Sequence, residues 1–200
     1  MTITVHYVSG DTVNAFATLG GHVMVYQGLT QRMPNENALA NVIGHEIGHV
    51  KLRHPMSSTG RGLIIGLALS LVSATAGTDV VVAAALGPAG LLAVTSFSRD
   101  QERAADAQGL EALVGVYGHA NGAADTFRRL EEATRDVPKP PAIFSTHPLT
   151  DERIATINGK VRSGNWKANG PVVPYPDDVV RALAAPAPAK AEHAAAWPVH

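Results

Sequence analysis

The segment HEIGHVKLRH, residues 45–54, combines three histidines and one glutamate with the apolar residues of a helix. His45 and His49 are four residues apart, and on an α-helix this spacing directs both imidazoles to the same face. Two neutral imidazoles so placed can bind one zinc ion, while Glu46 can reach a water molecule on the metal. HExxH also arises by chance on surface helices with solvated histidines. The apolar helix here favours the metal site, because buried histidines need polar partners.

The helix around this motif is predicted to begin near Asn35, a good N-cap residue, and to continue to Pro55. Continued that far, it turns His54 about 140° away from His49. We therefore predict that His54 is a cation at the helix C-terminus, where it interacts with the helix dipole. The metzincin pattern HExxHxxGxxH is excluded, since it requires glycine at position 52 and histidine at position 55, where the sequence has leucine and proline.

A third metal ligand is expected from the segment QERAADAQG, residues 101–109. Glu102 and Asp106 are four residues apart and share one face of a predicted helix. The glutamate of such a pair can bind zinc, while the aspartate accepts a hydrogen bond from a ligand histidine and orients it. The alternative is an ordinary charged helix surface, with Arg99 and Arg103 as ion-pair partners. The position of the pair downstream of HExxH favours the metal site.

The rest of the chain predicts an α+β fold that is mostly helical, with a small β-sheet. Alternating side chains over residues 3–8 and β-branched and aromatic residues over 22–29 predict two strands. We expect the second of these, HVMVYQGL, at the edge of the sheet beside the active-site cleft, where an extended substrate can pair with it. Further helices are predicted within residues 98–118, 121–136 and 146–161.

Two segments bear on domain organisation. Residues 62–98 contain one charged residue, Asp79, and form apolar stretches of 16 and 19 residues. Both are short for a transmembrane helix and rich in small residues, so we expect packed helices or helices that touch a membrane surface peripherally. After Gly164 the composition shifts to Gly, Pro and Ala. We therefore predict a domain over residues 1–164 and a tail or linker over 165–200.

Composition excludes several classes of protein. The chain has no cysteine, so it has neither disulfides nor thiolate ligands, and a metal must be bound by His, Asp or Glu. The net charge of −1 provides no basic surface for nucleic acid. The N-terminal stretch MTITVHYVSGD lacks the basic and apolar regions of a signal peptide.

Four collinear motifs resemble the zinc metallopeptidases of family 48, the gluzincin-type family that includes HtpX and the type I CAAX prenyl protease. The motifs are NAFATLGGHVMVYQGL (14–29), ALANVIGHEIGHVKLRH (38–54), SFSRDQERAADAQG (96–109) and STHPLTDERI (145–154). The resemblance extends from about Val5 to about Ile157 and is strongest to the soluble envelope members, the BepA-like and Oma-like proteins.

This resemblance implies a gluzincin-type domain built around the HExxH helix, with one Zn²⁺ per chain. The implied ligands are His45, His49 and Glu102. Glu46 is the implied catalytic base, and Asp106 is the implied hydrogen-bond acceptor that orients a ligand histidine. One departure is visible: Ala104 stands where the family usually has a second acidic residue, which leaves Glu102 as the third ligand.

The last motif adds His147 and Arg153. We expect His147 to be a catalytic residue near the zinc, where it either masks the open coordination position or donates to the oxyanion. The alternative is a structural histidine at the N-terminus of a helix. Arg153 is expected either to pair with a carboxylate of the site or to cap its own helix.

The resemblance implies a zinc endopeptidase that hydrolyses peptide bonds in unfolded or misassembled proteins of the bacterial cell envelope, in the periplasm. The alternative is a self-masked, zinc-stabilised binding module that holds such proteins as a chaperone does and rarely cuts them. A third reading, a CAAX-type prenyl-protein protease, requires several membrane spans around a chamber, and 200 residues are too few for these. Retention of Glu46 favours the enzyme, since a purely structural zinc site needs no base.

Overall fold

The computed structural model describes residues 2–58, 60, 62, 97–123, 126, 128, 130, 132, 142–148 and 151–184. The predicted helix over 121–136 and the apolar stretches within 62–98 therefore lie largely outside the described residues. Over the described part of the chain, every helix is too short or too polar to cross a membrane.

The described elements are a small sheet and helices packed on one of its faces, which confirms the predicted α+β, mostly helical fold. In chain order they are β1 (Thr4–Val8), β2 (Ala15–Ala17), a 3₁₀ turn (Leu19–Gly21), β3 (His22–Tyr26), α1 (Gln27–Thr30), α2 (Glu36–Lys51), α3 (Arg99–Tyr117), α4 (Ala142–Thr146), α5 (Asp151–Ser163) and α6 (Asp177–Ala184).

The sheet has the order β1-β3-β2. β1 runs parallel to β3, with Thr4 opposite His22, and β2 runs antiparallel to β3, with Ala17 opposite Val23. The prediction that residues 22–29 form the edge strand beside the cleft was wrong, because β3 is central and β2 takes that edge. The glycines at 20 and 21 have positive φ angles of 83° and 88° and fold β2 back onto β3.

The core lies between the sheet and α2. The side chains that fill it are buried and aliphatic: Ala15, Val23, Val25, Leu29, Ala38, Val42 and Val50. A second cluster joins α3 to α5 through Leu110, Leu113, Ile157 and Val161. Helix α2 therefore packs against the sheet on one face and against α3 on another.

Helix α2 begins as predicted but ends earlier. The Asn35 side chain accepts a hydrogen bond from the Ala38 N–H (3.0 Å), which is the expected N-cap. The helix ends at Lys51, and Arg53 then adopts a left-handed conformation with φ of 57°. Residues 54–58 are helical again. The helix is therefore interrupted by a turn just after the HExxH motif.

Helices α2 and α3 approach each other unusually closely at three glycines. A Cβ atom on Gly44 would lie 3.1 Å from the Gly109 Cα, and one on Gly48 would lie 3.0 Å from the Ala105 carbonyl oxygen. A Cβ on Gly109 would lie 2.9 Å from the backbone nitrogen of His45. Only glycine fits here, and the close approach brings the first turns of α3 against the two motif histidines.

We expect Gly109→Ala to lower the free energy of unfolding by about 1–3 kcal/mol, because the added methyl group meets backbone atoms that cannot move independently. Gly115 provides a matched control on the same helix, since a Cβ there meets nothing within 4 Å. Gly115→Ala is expected to stabilise the protein by about 0.5–1 kcal/mol through helix propensity alone. Urea unfolding of both variants checks this, and equal effects would contradict the close approach.

Part of the predicted tail lies against the domain. Val173 donates its N–H to the Asn37 side chain (2.7 Å) and accepts from the Glu36 N–H (2.9 Å), at the start of α2. Upstream, the Ala120 N–H donates to the Lys167 carbonyl (2.8 Å). The boundary at residue 164 stays a prediction, and residues 185–200 lie outside the described residues.

Candidate metal centre and active site

Four helical segments bring the predicted site residues together. His45 and His49 lie on the last turns of α2, and Glu102 and Asp106 on the first turns of α3. The α3 N-terminus is fixed by a reciprocal cap, in which the Ser98 hydroxyl accepts from the Gln101 N–H (3.3 Å) and the Gln101 side chain accepts from the Ser98 N–H (3.0 Å). Two further site residues come from the C-terminal half: His147 directly follows α4, and Arg153 lies on α5. All of the site side chains are buried.

The donor atoms of His45, His49, Glu102 and His147 lie within 4.8 Å of one another and could hold a metal ion. Nε2 of His45 is 3.0 Å from Nε2 of His49 and 3.3 Å from Nδ1 of His147. Glu102 oxygens lie 3.5 Å from the His45 Nε2 and 3.4 Å from the His49 Nε2. Ligands bound tetrahedrally to zinc at about 2.0–2.1 Å lie about 3.3 Å apart. The imidazole and carboxylate donors, and the separations of 3.0–3.5 Å among them, suit a bound metal ion such as zinc.

Asp106 orients His45. The Nδ1–H of His45 donates to Asp106 Oδ1 at 2.9 Å, and Nε2 therefore faces the cluster. Burial of Asp106 acts to raise its pKa, but hydrogen bonds from His45 and Arg153 outweigh this effect and lower the pKa overall. Asp106 is therefore ionised and acts as a fixed acceptor.

Arg153 binds three parts of the site at once. Its guanidinium donates to both Asp106 oxygens, at 2.9 Å and 2.7 Å, and lies 3.0 Å from Oε2 of Glu102. It also donates to the carbonyl of Pro148 (2.9 Å), in the loop that follows His147. Of the two expectations for Arg153, pairing with a carboxylate of the site is the one that matches this geometry.

Glu46 is buried beside the cluster and points into it. Over the described residues neither of its carboxylate oxygens has a hydrogen-bond partner, and Oε1 lies 3.4 Å from Nε2 of His147. Burial raises the pKa of Glu46, while the nearby charges of His147 and His45 and the backbone N–H of Ala17, which faces the carboxylate, act to lower it. Because no short hydrogen bond occupies either oxygen within the described residues, the carboxylate can interact with a substrate or a water molecule.

Burial and neighbouring groups also shift the pKa values of His49, Glu102 and His147. Burial lowers the pKa of His49 to about 3, so this imidazole is neutral, as a metal ligand must be. Burial acts to raise the pKa of Glu102, but hydrogen bonds from His147 and His49 bring it well below its ordinary value. His147 shows the opposite balance: burial acts to lower its pKa, and the carboxylates of Glu46 and Glu102 raise it overall.

The prediction for His54 was wrong. Because α2 ends at Lys51, His54 does not lie on that helix; it is buried, and its Nδ1 is 2.9 Å from Nδ1 of His49. Phe97 was not singled out from the sequence, yet its ring stacks on His49 with centroids 3.9 Å apart. Its position one residue before the Ser98 cap of α3 was the available signal.

A cavity of about 450 Å³ opens next to His147. Its wall is mainly apolar and includes Phe16 of β2, Leu19 of the following turn, Pro55 and Phe97. The edge strand β2 thus forms one side of a cleft that His147 of the buried cluster also lines.

Comparison with known proteins agrees with this geometry. The model of peptidase family M48 matches residues 2–161. The beta-barrel assembly-enhancing protease of Escherichia coli K12 is 31% identical over 164 residues, which cover 76% of this chain and 33% of that protein. Metalloprotease YcaL of the same strain is 33% identical over 160 residues, covering 79% and 61% of the two chains. The mitochondrial metalloendopeptidase OMA1 of Schizosaccharomyces pombe is 30% identical over 152 residues, covering 76% and 44%.

The fold and the buried His-His-Glu cluster define a metallopeptidase domain of the HExxH class. This chain belongs to peptidase family M48, which confirms the resemblance stated from the sequence motifs. It spans about a third of the length of the beta-barrel assembly-enhancing protease that it matches.

Proposed function

We propose that this protein is a zinc endopeptidase that cuts unfolded or misassembled proteins. The observation that carries the proposal is the placement of a buried Glu46 carboxylate, with no short hydrogen bond among the described residues, beside four donor atoms that could hold one metal ion. A site that only stabilised the fold would need the ligands but no carboxylate kept free next to them.

His45, His49 and Glu102 would hold the metal, with Asp106 fixing the orientation of His45. Zinc, when bound, supplies Lewis acidity toward a water molecule and the scissile carbonyl. Glu46 accepts the proton of the attacking water and delivers it to the leaving amine nitrogen. The burial that raises the pKa of Glu46 suits this exchange, because the carboxyl must both take and return a proton.

An extended substrate would add to the outer edge of β2, which pairs with no further strand among the described residues. The Tyr26 N–H donates to the Asn14 carbonyl (3.1 Å) and the Thr18 N–H to the His22 carbonyl (2.8 Å). Asn14 and Thr18 therefore direct their backbone groups toward β3. In an antiparallel ladder this direction alternates, so Ala15 and Ala17 direct their N–H and C=O groups away from β3. Main-chain pairing there selects for an extended backbone conformation rather than for a particular sequence. It therefore favours unfolded chains. The apolar cavity beside this edge would take one apolar side chain of the substrate.

We assign His147 to a mask rather than to oxyanion stabilisation. Its Nδ1 belongs to the set of donor atoms, 3.0 Å from Glu102 Oε1. Four protein ligands complete a tetrahedral zinc site and leave no position for water or substrate. In this proposal His147 must move away before the protein can cut. The loop that carries it is held by the hydrogen bond from Arg153 to Pro148.

The names of the relatives support a location in the bacterial cell envelope, and we propose a periplasmic enzyme whose partners are misassembled envelope proteins. The binding module remains the second candidate, because a masked zinc site also suits a protein that holds such chains without cutting them.

Zinc-loaded and chelator-treated protein should be incubated with a permanently unfolded protein substrate. The proposal expects fragments only from the loaded form, one zinc per chain, and restored cleavage when zinc is added back. Stoichiometric zinc with bound but uncut substrate, in both the wild type and His147→Ala, would instead establish the binding module.

His147→Ala is expected to raise the rate of cleavage relative to wild type, by about tenfold or more if masking costs at least 1.4 kcal/mol. The physical reason is that three ligands remain and the fourth position opens. Initial rates on the unfolded substrate measure this at equal zinc content. A fall in rate at full zinc occupancy would refute the mask and support an oxyanion role.

A further inference from the structure

The turn that ends α2 places His54 against His49, a proposed zinc ligand, at the ring nitrogen that does not face the cluster. The left-handed Arg53 turns the backbone at the end of α2, and the helical segment 54–58 begins with His54. Left-handed conformations are uncommon for a residue with a side chain. The turn buries His54 and brings its Nδ1 to 2.9 Å from the Nδ1 of His49.

Contacts at one ring face and at both ring nitrogens fix the His49 ring. Phe97 stacks on one face, with ring centroids 3.9 Å apart and planes 25° apart. Nε2 faces His45 and Glu102, at 3.0 Å and 3.4 Å. Nδ1 faces His54, whose ring meets the His49 ring edge-on at a centroid distance of 4.9 Å. The second nitrogen of His49 therefore has an imidazole nitrogen as its partner, whereas the corresponding nitrogen of His45 has the Asp106 carboxylate.

Two imidazole nitrogens at hydrogen-bond distance share a single proton. If His49 carries it on Nδ1 and donates to His54, Nε2 of His49 keeps its lone pair for a metal. If His54 carries it and donates, a neutral His49 must hold its own proton on Nε2, which would then point into the cluster and block a ligand position. His54 can thus support the metal site only as an acceptor, protonated on its own Nε2.

We infer that His54 is a positioning residue for His49: it accepts the His49 Nδ1–H and so keeps Nε2 as the donor atom toward zinc. This inference rests on the proposed metal site. The neutral acceptor is suited to its place, because Asp106, Glu102 and Glu46 already supply three carboxylates around the cluster, and Arg153 supplies one guanidinium. A fourth buried carboxylate behind His49 would add repulsion that a neutral imidazole avoids.

The test is the zinc dissociation constant, measured by competition with a chromophoric chelator and independent of cleavage. His54→Phe keeps a ring of similar shape but removes the acceptor, and we expect zinc to bind about 10- to 100-fold more weakly. His54→Asn places an amide oxygen near the position of Nδ1 and is expected to restore most of the affinity. His22→Phe, which removes a histidine that pairs with His6 at the sheet surface, is the control and should leave the affinity unchanged.

Thermal unfolding of the metal-free variants shows whether each is folded. Wild-type affinity in a folded His54→Phe overturns the inference, and so does an equal loss in His54→Phe and His54→Asn, because the role would then be one of shape. A wild-type protein that binds no zinc would overturn both the proposed metal site and the role of His54. Zinc binding by wild type with no change in His54→Phe overturns the positioning role alone.

Discussion

Glu46→Gln is expected to lower kcat/KM for an unfolded protein by about 10²- to 10⁴-fold while zinc stays bound, the range that general acid–base catalysis contributes. The substitution keeps the size and shape of the side chain but removes its negative charge and its ability to accept a proton. Both oxygens of Glu46 lack short hydrogen bonds within the described part of the chain, and the closest ion-pair contact is the 3.4 Å approach of His147, so the amide disturbs few contacts of the fold. The rate should be measured in wild-type and His147→Ala backgrounds, so that a mask cannot hide the effect.

The matched control is Glu111→Gln on α3, which changes an exposed glutamate that hydrogen-bonds Gln108 at the surface (3.0 Å). It should leave both the rate and the zinc content at wild-type values. Glu46→Gln is also expected not to lower the thermal midpoint of the metal-free protein, because it removes a buried charge without hydrogen bonds. Cleavage at the wild-type rate in a zinc-loaded Glu46→Gln variant would remove the carboxylate from the mechanism and sink the proposed protease chemistry.

The sequence predicts the local parts of this site because they follow from helical periodicity. A period of 3.6 residues per turn is enough to place His45 and His49 on one face of α2. The same period places Glu102 and Asp106 on one face of α3. The meeting of the two pairs is a tertiary effect. It depends on the three glycines that let α2 and α3 approach, and their pattern becomes informative only once the two helices are known to be neighbours.

Two features escaped prediction for physical reasons. Strand β2 has three residues, too few for a pattern of alternating side chains, so the position of the edge strand could not be assigned from local sequence. The left-handed turn at Arg53 could not be predicted, because a left-handed arginine has no sequence signature comparable to glycine. That turn decides the position of His54, and an extrapolated helix therefore placed this side chain on the wrong side.

Arg153→Ala is expected to lower the free energy of unfolding by about 3–5 kcal/mol, the cost of breaking a buried ion pair by removing one partner. The loss leaves the carboxylates of Asp106 and Glu102 in the interior without the guanidinium that lies 2.7–3.0 Å from them. It also frees the Pro148 carbonyl and hence the loop after His147. Urea unfolding of the metal-free protein measures the effect without a contribution from zinc binding.

Arg103→Ala is the matched control. Arg103 contacts Asp100 and Glu152, but these pairs lie at the surface, with Glu152 about half exposed. An exposed pair contributes about 0–1 kcal/mol, so the two arginines should differ by at least about 2 kcal/mol. Arg153→Lys is expected to recover only part of the loss, because an ammonium group cannot donate to both Asp106 oxygens as the planar guanidinium does. Equal destabilisation by Arg153→Ala and Arg103→Ala would show that the buried contacts carry no special weight.

The same cluster fixes the sign of a pH effect. The pKa of Asp106 lies below its ordinary value of 3.8 in the folded protein, since hydrogen bonds from His45 and Arg153 outweigh the effect of burial. Its contribution to stability is therefore complete above that ordinary value and is lost as the pH falls toward the lower pKa of the folded state. In metal-free protein, the gap in unfolding free energy between wild type and Asp106→Asn should narrow as the pH falls below about 4. A gap that stays constant or widens on acidification would mean that Asp106 is not held as a carboxylate by these two partners.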